Sequence, residues 1–166
     1  MVRILIGYRC GSAEVSRLLC SLPSADGDRH TPVVPTWDDV RRLAAALPDT
    51  DEHPSYGGRP SWRVHQNMFV WDRPLGKADR VFLGSAAPDE SEPVLGVRVA
   101  HEGVKAALVA DDPDVFFTIP HFDGYPAVLV RLGRVALDEL DELIEDAWRL
   151  RAPKRLLAAF EKNRSR

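Results

Sequence analysis

Apolar residues in this 166-residue chain recur with a helical period, then alternate, and the two periods take turns from Thr36 to Phe160. A period near 3.6 buries one stripe of a helix and a period of 2 buries one face of a strand, so the order of periods sets the order of elements. Val40, Leu43, Ala44 and Leu47 are spaced for a helix that opens at Thr36-Trp37-Asp38-Asp39 and stops at Pro48. A hydroxyl N-cap followed by acids is the chemistry of a helix start. Trp62, Val64 and Gln66 alternate with Arg63 and His65, which predicts a strand over 61–66, a tight turn at Gln66-Asn67 and a second strand over 68–72. Further strands are predicted over 80–83 and 92–100, the latter with Leu95, Val97 and Val99 opposite Arg98. Val104, Ala107 and Leu108 predict a helix over 102–110, and Asp112-Pro113 predicts one more turn to Phe116. Val128, Val130 and Leu132 share one face of a strand over 125–132. Asp138 is placed to cap a long helix carrying Leu140, Leu143, Ile144, Ala147 and Trp148, and Leu156, Leu157 and Phe160 follow Pro153 as a short helical tail.

The resulting order is α-β(2-3)-β-α-β-α. Short loops between strands imply antiparallel pairing, and single-striped helices imply one shared face, so the expected fold is an α+β two-layer sandwich with helices on one face. Upstream, 2–8 suits a strand and 14–22 a short helix, while Pro23 to Pro32 is rich in turn formers. We therefore divide the chain into an extension and linker over 1–33, expected either to pack on the body or to be partly disordered, a domain over 34–152, and a basic C-terminal helical tail over 153–166.

Composition narrows the function class. Hydrophobic residues make up 45% and charged residues 28%, as in soluble domains, and a net charge of −3 argues against a protein that coats nucleic acid indiscriminately. Local charge is uneven, with seven Lys or Arg against one acid between Arg149 and Arg166. Two cysteines, Cys10 and Cys20, make neither a disulfide framework nor a metal spacing, and no apolar stretch reaches membrane length. A cytoplasmic protein without membrane attachment is expected. Gly57-Gly58 leads into Arg59-Pro60 and a strand rather than a helix, so it makes no phosphate loop. His121 and Asp123 lie two apart, but a metal site needs more ligands, and His30, His53 and His101 are scattered. No catalytic residue, metal ligand or cofactor is expected, and the chain is read as a non-enzyme.

Several stretches, in one order, resemble the MmcQ/YjbR family. Trp37 to Pro48 is similar to its opening helix ending in Leu-Pro. Glu52 stands where the family commonly has an acid, and Ser61-Trp62-Arg63-Val64 resembles its first hairpin strand. Val104 to Leu108 with Asp112-Pro113 resembles the middle helix, Ile119 to Pro126 the turn before a strand, and Asp138-Glu139-Leu140 to Ala147-Trp148 the closing helix. The resemblance spans roughly 34–151 and implies a compact α+β sandwich with a double-wing DNA-binding surface built from hairpins. Many members carry lysine at the two turns, where this chain has Asn67 and His121-Phe122-Asp123-Gly124, so both tips lack that charge.

Candidate nucleic-acid contacts are Arg63, Arg98 and Arg131, each opposite the apolar residues of its own strand, and the loop cations Arg73, Lys77 and Arg80. The three strand arginines, with His65, would put a basic stripe on the open sheet face, and the loop cations would form a wing tip. The resemblance thus implies a non-enzymatic DNA-binding or regulatory module. Two alternatives stand beside it: a protein-interaction or homodimerisation module using the open sheet face, where Leu129 points, and a small-ligand domain with a pocket among Trp62, His65, His121 and Tyr125.

Overall fold

The computed structural model describes residues 34–165. The readings for 2–8, 14–22 and the linker, with Cys10, Cys20 and His30, lie outside the described residues.

Thr36 caps the first helix, α1 (Trp37–Ala45), reciprocally: its hydroxyl accepts from the Asp39 N–H while the Asp39 carboxylate accepts from the Thr36 N–H at 3.0 Å. The strands are β1 (Thr50–Pro54), β2 (Pro60–Val64), β3 (Asn67–Asp72), β4 (Val94–Arg98), β5 (Phe116–Phe117) and β6 (Ala127–Arg131). They form one sheet in the order β1-β2-β3-β4-β6-β5, every neighbouring pair antiparallel. The remaining helices are α2 (Lys77–Leu83), α3 (Glu102–Asp111), α4 (Leu137–Arg151) and α5 (Lys154–Arg164). The fold is the expected α+β two-layer sandwich.

One face of the sheet buries Trp62, Val64, Phe69, Val70, Leu95, Val97, Val128 and Val130 against Val40 and Ala44 of α1 and Leu140, Ile144, Ala147 and Trp148 of α4. The Trp37 and Trp62 rings stack at 6.2 Å, and the Trp148 indole N–H donates to the Pro48 carbonyl at 3.1 Å, so α1, α4 and β2 lock together. Phe69 and Val70 are consecutive yet both enter this core. The β2–β3 register shifts between Trp62 and Arg63, leaving Phe69 as the extra residue of a bulge.

Several local expectations are corrected. The predicted strand over 80–83 is part of helix α2, which begins where the Asp79 carboxylate accepts from the Gly76 N–H at 2.9 Å. A short apolar run does not reveal its own period. The hairpin turn is His65-Gln66, with φ of +45° and +69°, one residue earlier than expected. Two consecutive left-handed residues match the twist of a two-residue hairpin better than the turn-forming chemistry of Asn67 does. Pro113 starts no helical turn; the Asp112 carboxylate accepts from the N–H groups of Asp114 and Val115, and the chain leaves as edge strand β5. Helix α4 is flanked by Ala136, with Asp138 inside its first turn rather than capping it. The edge strand β1 was not anticipated, since Thr50–Pro54 has no alternation of burial to betray it.

Candidate functional site

The second face of the sheet is not open. Trp71, Val94, Phe117, Ile119, Phe122, Ala127 and Leu129 form their own apolar cluster there, joined by Met68, Leu75 and Leu83. Its lid is the segment between β5 and β6 together with α2. Leu129, expected at a partner surface, is fully buried.

Lys105 holds that lid. It is 5% exposed, and its ammonium donates to the carbonyls of Phe122 at 2.7 Å and Tyr125 at 3.2 Å while pairing with Glu102 at 2.7 Å. A buried lysine is stable only when its donors are matched in this way. Nothing in its spacing on a helix marked it for burial.

The basic stripe is dispersed by this lid. Arg131 is 6% exposed; its guanidinium lies over the Phe117 ring at 4.7 Å and donates to the carbonyls of Ala86, Pro113 and Asp114. Burial lowers its pKa, and the group ties loops together rather than facing solvent. Arg73 pairs with Asp79 at 3.2 Å and lies over Phe122 at 5.8 Å, and Arg80 donates to the Pro88 carbonyl at 2.6 Å. Lys77 is exposed at the start of α2, and Arg63 is half-buried on β2 with its Nε–H lacking an acceptor. The proposed small-ligand set is also divided. Trp62 is in the helix-side core, His65 is in the hairpin turn within 3.4 Å of Asp49, and His121 and Tyr125 flank Phe122 on the other face.

Arg98 is the one stripe residue that enters a different arrangement. Its guanidinium lies 4.0 Å from the centre of the Tyr125 ring and 5.9 Å from that of Trp71, and it donates to the Tyr125 hydroxyl. Beside it is a cleft of about 150 Å³ lined by Arg98, Val99, Ala100, Pro126, Leu150 and Arg151. Arg151 ends α4, so the sheet presents one cation and the helix the other. Among the described residues neither arginine has a carboxylate within ion-pair distance, and the Nε–H of each is buried without an acceptor. Burial, with the Arg151 charge adding to it, holds Arg98 down at about 10. Nearby, Arg149 pairs with Glu145 and Glu161, and Arg164 with Glu145. Lys154 and Arg155, exposed at the start of α5, have no such partner among the described residues. In the sequence Arg151 is only one of several basic residues near a helix end; its meeting with Arg98 is a long-range contact that no local pattern encodes.

No three His, Cys, Asp or Glu side chains among the described residues are grouped to hold a metal ion, and no helix there is long and apolar enough to cross a membrane. A YjbR family model matches residues 45–150. The uncharacterized protein Rv2570 of Mycobacterium tuberculosis is 50% identical over 129 residues, spanning 77% of this chain and 97% of that protein. Mb2600 of Mycobacterium bovis matches at the same 50% identity over 129 residues. The crystal structure of Deinococcus radiodurans protein DR2400, with a DUF419 domain, superposes with a TM-score of 0.54 at 22% identity, covering 80% of this chain and 89% of that one. That last likeness is one of fold.

Proposed function

Because the chain belongs to the YjbR family, we propose that it is a non-enzymatic nucleic-acid-binding module whose contact surface is the corner where β4 ends against the α4–α5 junction. The observation that carries this reading is the set of cations there, Arg98, Arg151, Lys154 and Arg155, without acidic partners among the described residues. Unpaired cations are the ones that can trade their counterions for phosphates, whereas a paired arginine must first give up its carboxylate. Tyr125, 38% exposed beside Arg98, offers an aromatic edge at the same corner. The contact surface therefore moves away from the sheet face that strand alternation suggested and from the hairpin wings that the family resemblance implied.

The test is binding of a fluorescent duplex oligonucleotide to the full chain at stepwise salt. Affinity is expected to fall steeply with salt, and Lys154→Glu with Arg155→Glu to flatten the slope by about 2, near 0.9 per lost phosphate contact. Salt-independent binding, or a slope unchanged in that double variant, would refute this surface. A second reading, self-association, draws on Val81 and Phe82 of α2, which are 82% and 61% exposed. Neighbouring apolar side chains left in water favour a protein contact.

A further inference from the structure

We infer that the cleft between Arg98 and Arg151 is a seat for one doubly charged tetrahedral oxyanion, the dianion of a phosphate monoester or of inorganic phosphate. Two guanidiniums border a single space of about 150 Å³, which suits one compact anion better than an extended ligand. Both are partly withdrawn from water and neither meets a carboxylate among the described residues, so two like charges stand together without compensation. A dianion offsets both at once, and a carboxylate would offset only one. The other walls, Val99, Ala100, Pro126 and Leu150, bring no carboxylate to compete with an anion. The Tyr125 ring and hydroxyl fix the Arg98 fork from behind, and Lys105 holds the Tyr125 carbonyl, so the cationic end of the site is positioned before an anion arrives.

This inference draws on the nucleic-acid reading for one of two sources, the terminal phosphate of an oligonucleotide; a free phosphate ester is the other. The experiment uses ¹⁵N-labelled full chain titrated with inorganic phosphate while the arginine Nε–H signals are followed. Saturable shifts of the Arg98 and Arg151 signals are expected. By calorimetry, Arg98→Gln and Arg151→Gln should each weaken phosphate binding about tenfold, the loss of one charge-assisted contact. Arg134→Gln, whose partner is Glu92, should leave it unchanged. Circular dichroism establishes that each variant is folded, and Arg151→Lys should recover part of the affinity by restoring charge without the fork.

A 5′-phosphorylated single strand that binds more tightly than its 5′-hydroxyl counterpart supports the site and identifies a nucleic-acid end as the source. Equal binding of the two strands, with phosphate still moving both arginine signals, supports it and identifies a free ester. Signals unmoved by phosphate, or shifts that persist equally in both glutamine variants, overturn it. The two readings also fail separately. Duplex binding without a phosphate response sinks only the cleft, and a phosphate response without duplex binding sinks only the nucleic-acid module.

Discussion

Gly96 shows how one position can carry a whole interface. It lies in β4 between Trp71 of β3 and Leu129 of β6, and a Cβ there would stand 2.3 Å from Cε2 of the Trp71 indole. The indole covers the space that a side chain would take, so Gly96→Ala is expected to cost about 1–3 kcal/mol of overpacking, read as a lower urea midpoint. Trp71→Leu in the same chain should recover part of that loss, because the two groups contest one volume. Arg98 carries a pH signature of the opposite kind. Its folded-state pKa, about 10, lies below the ordinary arginine value, so between those two pH values the unfolded chain binds more protons. In that window its contribution to stability rises with pH, because burial disfavours the charged form. Arg98→Met should therefore raise the melting temperature at pH 7, by about 2–4 °C per kcal/mol relieved, with the gain shrinking above pH 10. A variant that melts lower at pH 7 would show the guanidinium to be net stabilising.

Among the elements, α5 is held without a fully buried side chain. The Phe160 ring meets Trp148 edge-on at 4.9 Å and is flanked by the guanidiniums of Arg149 at 5.3 Å and Arg164 at 5.8 Å. No residue of α5 is fully buried, so its hold on the body rests on half-buried Leu156, Leu157 and Phe160 and on the Arg149–Glu161 and Arg164–Glu145 pairs. Phe160→Ala is expected to cost about 1–3 kcal/mol, less than for a fully buried phenylalanine. Amide exchange should accelerate in α5 well before it does in α1, whose cap is far from the change. The cap has its own pH limit. Hydrogen bonds from Thr36, with the Arg42 ion pair, lower the Asp39 pKa, so its stabilisation is present above the usual carboxylate range and is lost as pH falls through the lowered value. Melting curves of the parent and Asp39→Asn should converge in acid.

At the scale of the molecule, charge runs along α4. Asp138, Glu139, Asp141 and Glu142 stand at its start, and Arg149 and Arg151 stand at its end, followed by Lys154 and Arg155 of α5. Burial, then Asp112 and Asp138 close by, hold the Glu139 carboxyl above its usual range, a mark of how crowded the acidic end is. If the chain binds nucleic acid as proposed, such polarity on a chain of net charge −3 steers the encounter, so the association rate should fall more steeply with salt than the dissociation rate rises. Stopped-flow fluorescence separates the two. The exposed Val81 and Phe82 give self-association a different signature. If they pair two copies, light scattering will return a dimer mass that survives high salt and is lost in Phe82→Asp. A monomer at every concentration would remove that reading.

The apolar periods alone determined the main helices and strands of the helix-side core, because each of Val40, Val64, Leu95, Val97, Val128, Val130, Ile144 and Trp148 is buried by the repeat of its own element. The capping of α1 was equally legible, since Thr36 and Asp39 interact within one turn. What lay on the other side of the sheet was not. A period of 2 assigns a residue to a face but says nothing of what covers that face. The arginines opposite the apolar residues were placed on the correct side, and tertiary packing then put Ile119, Phe122 and Leu83 over that side and buried Arg131 beneath loops. The same packing brought Arg98 of the sheet to Arg151 of the last long helix, far apart along the chain. That meeting depends on register, the α4 docking angle and the hold of Lys105 on the Tyr125 turn, and none of these is a property of any one segment.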